Sequence, residues 1–181
     1  MHPIFATVSP SSFSMGLLLL RLVIGVVFVA HGLNHLYGGG KVEGTGRWFD
    51  SLGMRPGIVY AFMASLSEVG AGTLAVLGLV TPIAGAGVVG VMVVAFVTNH
   101  MKNGFFIFRP GEGYEYVMTL TVLGVVLGTL GPGQWSLDAH VQFLTRLWGW
   151  PGFAISLGAG GIGAGLLLLT AWRPEARSTT A

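Results

Sequence analysis

Long apolar runs separated by short polar ones leave this chain few folds to choose from. A bilayer core takes roughly 20 apolar residues of helix to cross. The first such run extends from about Met15 to Tyr37 and the second from Gly57 to Val80. The third covers Ile83 to His100 and the fourth Tyr114 to Leu130, closed by Gly131-Pro132-Gly133. Thr81 and Pro82 leave only a tight turn between the second and third runs, which forces an antiparallel hairpin. A fifth run, Pro151 to Trp172, meets no charge before Arg173. The sequence therefore predicts an all-α polytopic membrane protein, with a four-helix transmembrane bundle plus a fifth transmembrane helix.

Composition agrees. Only 9% of the 181 residues are charged, against about 25% in soluble domains. The 30 glycines follow no collagen-like period, and glycine lets membrane helices approach closely. A net charge of +2 without a basic run excludes nucleic acid as a partner. No cysteine is present, so disulfides, thiol relays and Cys-ligated clusters are out of reach. A redox role would need an external cofactor or a partner's thiols.

A cleavable signal peptide fits the N-terminus poorly. No Lys or Arg precedes Arg21, and Arg21 would itself interrupt the apolar region. Residues 1–14 are expected to be a lead-in segment and 173–181 a disordered tail. The tryptophans Trp48, Trp135, Trp148, Trp150 and Trp172 fall in loops or at helix ends, as in an interfacial belt. Within 136–150, Leu137, Val141, Leu144 and Trp148 share one helical face, so a short helix is expected on the membrane surface there. With five spans, Lys41, Arg47, Arg55, Lys102, Arg109, Arg173 and Arg177 share one side. The positive-inside rule makes that side cytoplasmic and the N-terminus external.

Ionisable residues inside a span are costly, so each is a candidate for function. At 100° per residue, Arg21, Gly25, His31, Gly32 and His35 fall within a sector of roughly 120°. In the second span Ala61, Ser65, Glu68, Gly72 and Ala75 form a small-residue seam with one acid at its centre. Asn99 and His100 end the third span, and Glu112 and Glu115 open the fourth. His31, His35, Glu68, Asn99, His100 and Glu115 are expected to converge in the cytoplasmic half of the bundle. Such a set can exchange protons near neutral pH, ligate a metal or haem, or hydrogen-bond the carbonyls of a quinone. Bis-His haem b would pair His31 or His35 with His100. No zinc-protease pattern is present, since His31-Gly-Leu-Asn-His35 lacks the glutamate after its first histidine. A structural reading competes with these: an i,i+4 histidine pair near a helix end can snorkel or bond backbone, and Glu68 can be neutral or paired with Arg21 or a histidine.

Residues Leu20 to Leu36, with Arg21, His31, Gly32 and His35, resemble the opening helix of DoxX-family membrane proteins. The resemblance continues in Leu66-Ser-Glu-Val-Gly-Ala-Gly72, Leu77-Gly-Leu-Val-Thr-Pro82, Gly113-Tyr-Glu-Tyr116 and Gly131-Pro-Gly-Gln-Trp-Ser-Leu-Asp138. It covers residues 15–140, and the ordered set carries it rather than any single motif. It implies a four-helix core in the cytoplasmic (plasma) membrane. Named members resemble small subunits linked to thiosulfate:quinone oxidoreductase, or act in membrane-associated oxidative-stress complexes.

The leading expectation is a quinone-linked or redox-complex membrane subunit with a catalytic site of Glu68, His31 and His35. Arg21, Asn99, His100 and Glu115 would bind the cofactor, and no metal site is expected. Partners would be the bilayer, a soluble redox enzyme and, through Gly161 and Gly165, a second copy of the chain. One alternative is a non-enzymatic scaffold recruiting soluble antioxidant or sulfur-metabolism enzymes through the cytoplasmic loop 38–56. Another is a small-molecule or proton-coupled transporter centred on Glu68. The spans read as unbroken helices, whereas transporter sites often use interrupted ones.

Overall fold

The computed structural model describes residues 9–174. The first span is α1, Pro10–Tyr37, with Pro10 in its first turn and Ser9 accepting the Ser12 amide hydrogen at its N-cap. Helix α2, Lys41–Ser51, follows, and then α3, Gly57–Leu77. Helix α3 stops at Gly78, whose left-handed φ of 60° suits a residue without Cβ. Helix α4, Thr81–Ala95, runs on through a π-helical turn, Phe96–His100, and a 3-10 turn, Met101–Asn103. Helix α5 is Glu115–Leu130. After a 3-10 turn at Asp138–His140 and the single-turn α6, Gln142–Thr145, the last rod begins. It comprises α7, Trp150–Ala154, a π-helical turn, Ile155–Ala159, and α8, Gly160–Ala171.

Among the described residues four rods are long and apolar enough to cross a bilayer: 10–37, 57–77, 81–103 and 150–171. The fifth apolar helix, α5, has 16 residues. At 1.5 Å per residue that is about 24 Å, somewhat short of the usual core. Its neighbours follow it along the bundle, beginning with Tyr114, whose ring meets Phe96 of the π-helical turn edge-on. Gly124 lies against Val88 and Gly85 on α4, while Gly128 lies against Ser156 of the last rod. Ser156 in turn donates to Pro82 O at the start of α4. The last rod then climbs parallel to α4, with Gly160 reaching Ala86 and Val89.

Helices α1 and α3 meet through glycines. A Cβ on Gly25 would lie 2.7 Å from Gly72 O, and one on Gly32 would lie 2.8 Å from Ser65 O. The seam Ala61, Ser65, Glu68, Gly72 and Ala75 is buried throughout, as its spacing predicts. Ile24, Phe28, Ala71, Ala75, Val88, Leu120 and Leu127 form the apolar core between α1, α3, α4 and α5.

Three local expectations are corrected. The 38–56 segment contains a full helix, α2, packed so tightly on α3 that a Cβ on Gly57 would collide with Gly46 O. The surface helix expected within 136–150 is two separate short turns. The chain there serves a different purpose, because the buried Asp138 carboxylate caps α4. It accepts from Val80 N at 2.7 Å, Thr81 N at 2.9 Å and the Thr81 hydroxyl at 2.7 Å. Finally, the spans are not uniformly regular, since α4 and the last rod each pass through a π-helical turn. The expected disordered tail lies mostly outside the described residues, as does most of the 1–14 segment.

The end of the last rod returns to the start of α3. Trp172 Nε1 donates to Leu52 O at 2.9 Å, Arg173 N donates to Gly53 O at 2.8 Å, and Met54 forms a single antiparallel bridge with Trp172. Arg173 thus ends beside Gly53, in the segment that joins α2 to α3.

Candidate functional site

Between α3, α4 and α8 lies a cleft of about 670 Å³. Its floor is Ala86, Gly87, Gly90, Val91 and Val94 of α4, whose small side chains leave the space open. Tyr60, Met63, Ala64, Ser67 and Glu68 of α3 form one wall, and Gly160, Gly163, Ala164 and Leu167 of the last rod form the other. Trp48, Phe49, Leu52 and Met54 close the end nearest α2. His35, Thr98, Asn99 and His100 complete the lining. The walls are overwhelmingly apolar, with the polar groups at the end where α1 and α4 terminate.

Glu68 is the acid of this site and is 5% exposed. Its Oε2 lies 3.4 Å from His35 Nε2, and no hydrogen bond is completed there. An acceptor held in an apolar bundle without a donor is costly. His35 is itself boxed by aromatic rings. Trp48 stacks on it with centroids 6.3 Å apart, and Phe49 meets it edge-on at 5.9 Å. The α2 helix that carries both rings is anchored by Thr45, whose hydroxyl donates to His35 O at 2.9 Å.

The π-helical turn places Asn99 and His100 on the cleft. A π turn widens the helix by one residue and re-aims the side chains that follow. His100 Nδ1 is 2.9 Å from Glu112 O. A carbonyl only accepts, so Nδ1 carries the proton and Nε2 is the acceptor in the neutral ring. Asn99 Nδ2 is 3.4 Å from that Nε2.

The structure brings together Glu68, His35, Asn99 and His100 and leaves out three of the residues expected with them. His31 is exposed on the outer side of α1 and stacks on Tyr116 of α5 at 6.3 Å. It does not line the cleft, because one helical step of 100° per residue separates it from the buried Gly32. Glu115 accepts the Ile107 amide hydrogen at 2.9 Å and organises the 104–115 loop. Arg21 sits near the other end of α1, 1% exposed. It donates to Val76 O at 2.8 Å and Trp135 O at 2.5 Å. Arg21 therefore satisfies carbonyls at the C-terminus of α3 and does not pair with Glu68. Among the described residues no group of three or more His, Cys, Asp or Glu converges to hold a metal ion. With His31 outside, His35 and His100 are, among the described residues, the histidines that share the cleft.

Sequence reasoning missed the aromatic end wall and the whole contribution of the last rod. Val42, Thr45 and Phe49 do recur at helical spacing in α2, but Gly44 and Gly46 mask the pattern. The glycines of α8 signalled close packing without saying against what.

Comparison with known proteins fits this architecture. A family model described as DoxX matches residues 16–101, which hold α1 to the end of the π-helical turn. A Bacillus subtilis (strain 168) protein named "Putative oxidoreductase CatD" is 32% identical over 116 residues, 64% of this chain and 81% of that protein. A Mycobacterium tuberculosis protein, "Uncharacterized membrane protein Rv3486", is 30% identical over 132 residues, covering 68% of this chain and 79% of its own length. No solved structure matches. The matched segment contains Arg21, both histidines of α1, Glu68 and His100, and the relatives are covered over most of their length; the chain belongs to the DoxX family.

Proposed function

We propose that this protein is a quinone-linked membrane subunit of an oxidoreductase system, with its quinone held in the α3–α4–α8 cleft. One observation carries the reading: an apolar cleft of ring-and-tail size has its polar groups, His35, Glu68, Asn99 and His100, gathered in its lining at one end. A volume of about 670 Å³ lies within the range of small-molecule sites, about 300–1,000 Å³. When bound, a quinone supplies two-electron, two-proton carrier chemistry. The chain's own residues orient and shield it. Trp48 and Phe49 cover His35, His35 stands beside Glu68, and Asn99 and His100 offer further polar contacts at the same end. The relative named as an oxidoreductase supports the class of chemistry, though that name belongs to the relative.

The basic face carrying Lys41, Arg47 and Arg55 would be cytoplasmic in the plasma membrane, and a soluble redox enzyme would dock there. Helix α2 favours this, because it turns Lys41, Glu43 and Arg47 outward while its inner side covers the site. The same packing means that Trp48 and Phe49 cannot distinguish a docking role from a ligand role. Arg47 can, being exposed and outside the cleft.

The test is extraction of the full chain in mild detergent, followed by chromatographic analysis of bound quinone and a redox difference spectrum. Quinone near one per chain, lowered several-fold in Glu68→Gln and His35→Ala, is the expected result. A folded preparation devoid of quinone that cannot be reloaded would overturn the proposal.

A further inference from the structure

We infer that the cleft is built for the reduced, hydroxylated state of its ring ligand, a hydroquinone, with a ring hydroxyl donating to Glu68. This rests on the quinone reading above and deepens it.

The inference follows from counting donors and acceptors at the polar end. Glu68 Oε2 is buried and receives no hydrogen bond. His100 Nδ1 is committed to Glu112 O at 2.9 Å, so the neutral ring turns a lone pair, not a proton, to its other side. Thr98 also lines the cleft. Its hydroxyl hydrogen goes to Val94 O at 2.9 Å, which leaves only lone pairs facing away. His100 Nε2 already faces Asn99 Nδ2 at 3.4 Å, so the acceptor at this end left without any donor is Glu68 Oε2. A quinone brings two more acceptors, its carbonyl oxygens. A hydroquinone brings two O–H donors on the same ring.

The cleft also selects against other amphiphiles. Among the described residues no Lys or Arg lines it. A fatty-acid carboxylate or a phospholipid phosphate would meet Glu68 with no cation beside it, an arrangement low-dielectric surroundings penalise heavily. The floor of Ala86, Gly87 and Gly90 offers an apolar track for a prenyl or alkyl tail.

Anaerobic titration of the full chain in phosphatidylcholine nanodiscs tests this, using decyl-ubiquinone and the same compound reduced beforehand. Binding is read from quenching of tryptophan fluorescence, since Trp48 stands in the wall. The hydroquinone is expected to bind about tenfold tighter, the factor that one hydrogen bond to an otherwise unsatisfied buried acceptor confers. In Glu68→Gln the side-chain amide gains donors, so the ratio should fall to about threefold or less by the same reasoning. A wild-type protein that binds the quinone as well as or better than the hydroquinone overturns this inference and leaves the quinone-linked reading standing. A protein that binds neither overturns both. A preference that survives in folded Glu68→Gln removes Glu68 as its source. The wild-type ratio decides the matter even if the variant fails to fold.

Discussion

Removing the Asp138 carboxylate should be among the most damaging single changes available outside the cleft. The residue is fully buried and receives two backbone N–H groups and one hydroxyl at the start of α4. Asp138→Ala frees the Thr81 hydroxyl to rotate elsewhere but orphans the amides of Val80 and Thr81. Thr81 is 0% exposed, so water cannot replace the lost acceptor there, whereas Val80 is half-buried and can recover part of the loss. An orphaned buried donor costs about 1–3 kcal/mol, which puts the sum at about 2–4 kcal/mol. The carboxylate also complements the positive end of the α4 dipole, and its charge acts on buried Arg21. Asp138→Asn is informative because it is nearly isosteric. It keeps one oxygen but sets an NH2 group against one of the two N–H donors, so it should cost about 1–3 kcal/mol by the same accounting. The assay is unfolding in mixed micelles of rising dodecyl sulfate fraction, followed by tryptophan fluorescence. In a thermal scan of the same micelles the midpoint should fall by roughly 5–15 °C for Asp138→Ala. Ligand contacts at the polar end of the cleft, near the opposite terminus of α4, should be unchanged in the folded variant. Both variants lying within about 0.5 kcal/mol of wild type, the scatter of ordinary surface substitutions, would show that the cap contributes no stability.

Other outcomes follow from the close helix contacts. Gly128→Ala should lower stability by about 2 kcal/mol or more in the same titration, since its Cβ would collide with Ser156 Oγ and force overpacking. Gly32→Val should separate α1 from α3 and so disturb Glu68, whose Cβ lies 3.1 Å from the position a Gly32 Cβ would take. It is expected to lose both stability and bound ligand, measured by unfolding and by extraction. Gly161→Ala and Gly165→Ala meet no neighbour within 4 Å. Each should raise stability by about 0.5–1 kcal/mol through helix propensity, and a fall, with a change in mass on size exclusion with light scattering, would reveal a second copy packed on that face. Arg47→Glu should leave bound ligand unchanged while weakening capture of a soluble redox partner on the basic face.

The spans were readable because lipid imposes length and apolarity directly on the sequence. The seam at Ala61, Ser65, Glu68, Gly72 and Ala75 was readable because small residues at helical spacing mark close approach. The site was half readable. Glu68 and His35 do come together, as their depth in the helices suggested. Yet one helical step sends His31 to the outer face, a distinction that a sector 120° wide does not resolve. Arg21 was misjudged for a different reason. A buried guanidinium can be satisfied by carbonyls at the end of a helix as well as by an acid, and nothing local in the sequence distinguishes the two. The cleft itself was hidden because it depends on which helices fail to fill the space between them, a property of tertiary arrangement alone.

The clamp of Trp172 on Leu52 and of Arg173 on Gly53 has a consequence for how the cleft is filled. With Trp48, Phe49 and Met54 it stops the end nearest water, while Met63 of α3 and Leu166 of α8, 46% and 58% exposed, flank the side turned to the acyl chains. An apolar occupant would arrive by lateral diffusion in the plane of the membrane. Occupancy would then follow its mole fraction among the lipids rather than its concentration in the aqueous phase. A compound that partitions poorly would fail to reach the site however well it fitted, and diluting the protein with extra lipid would empty it.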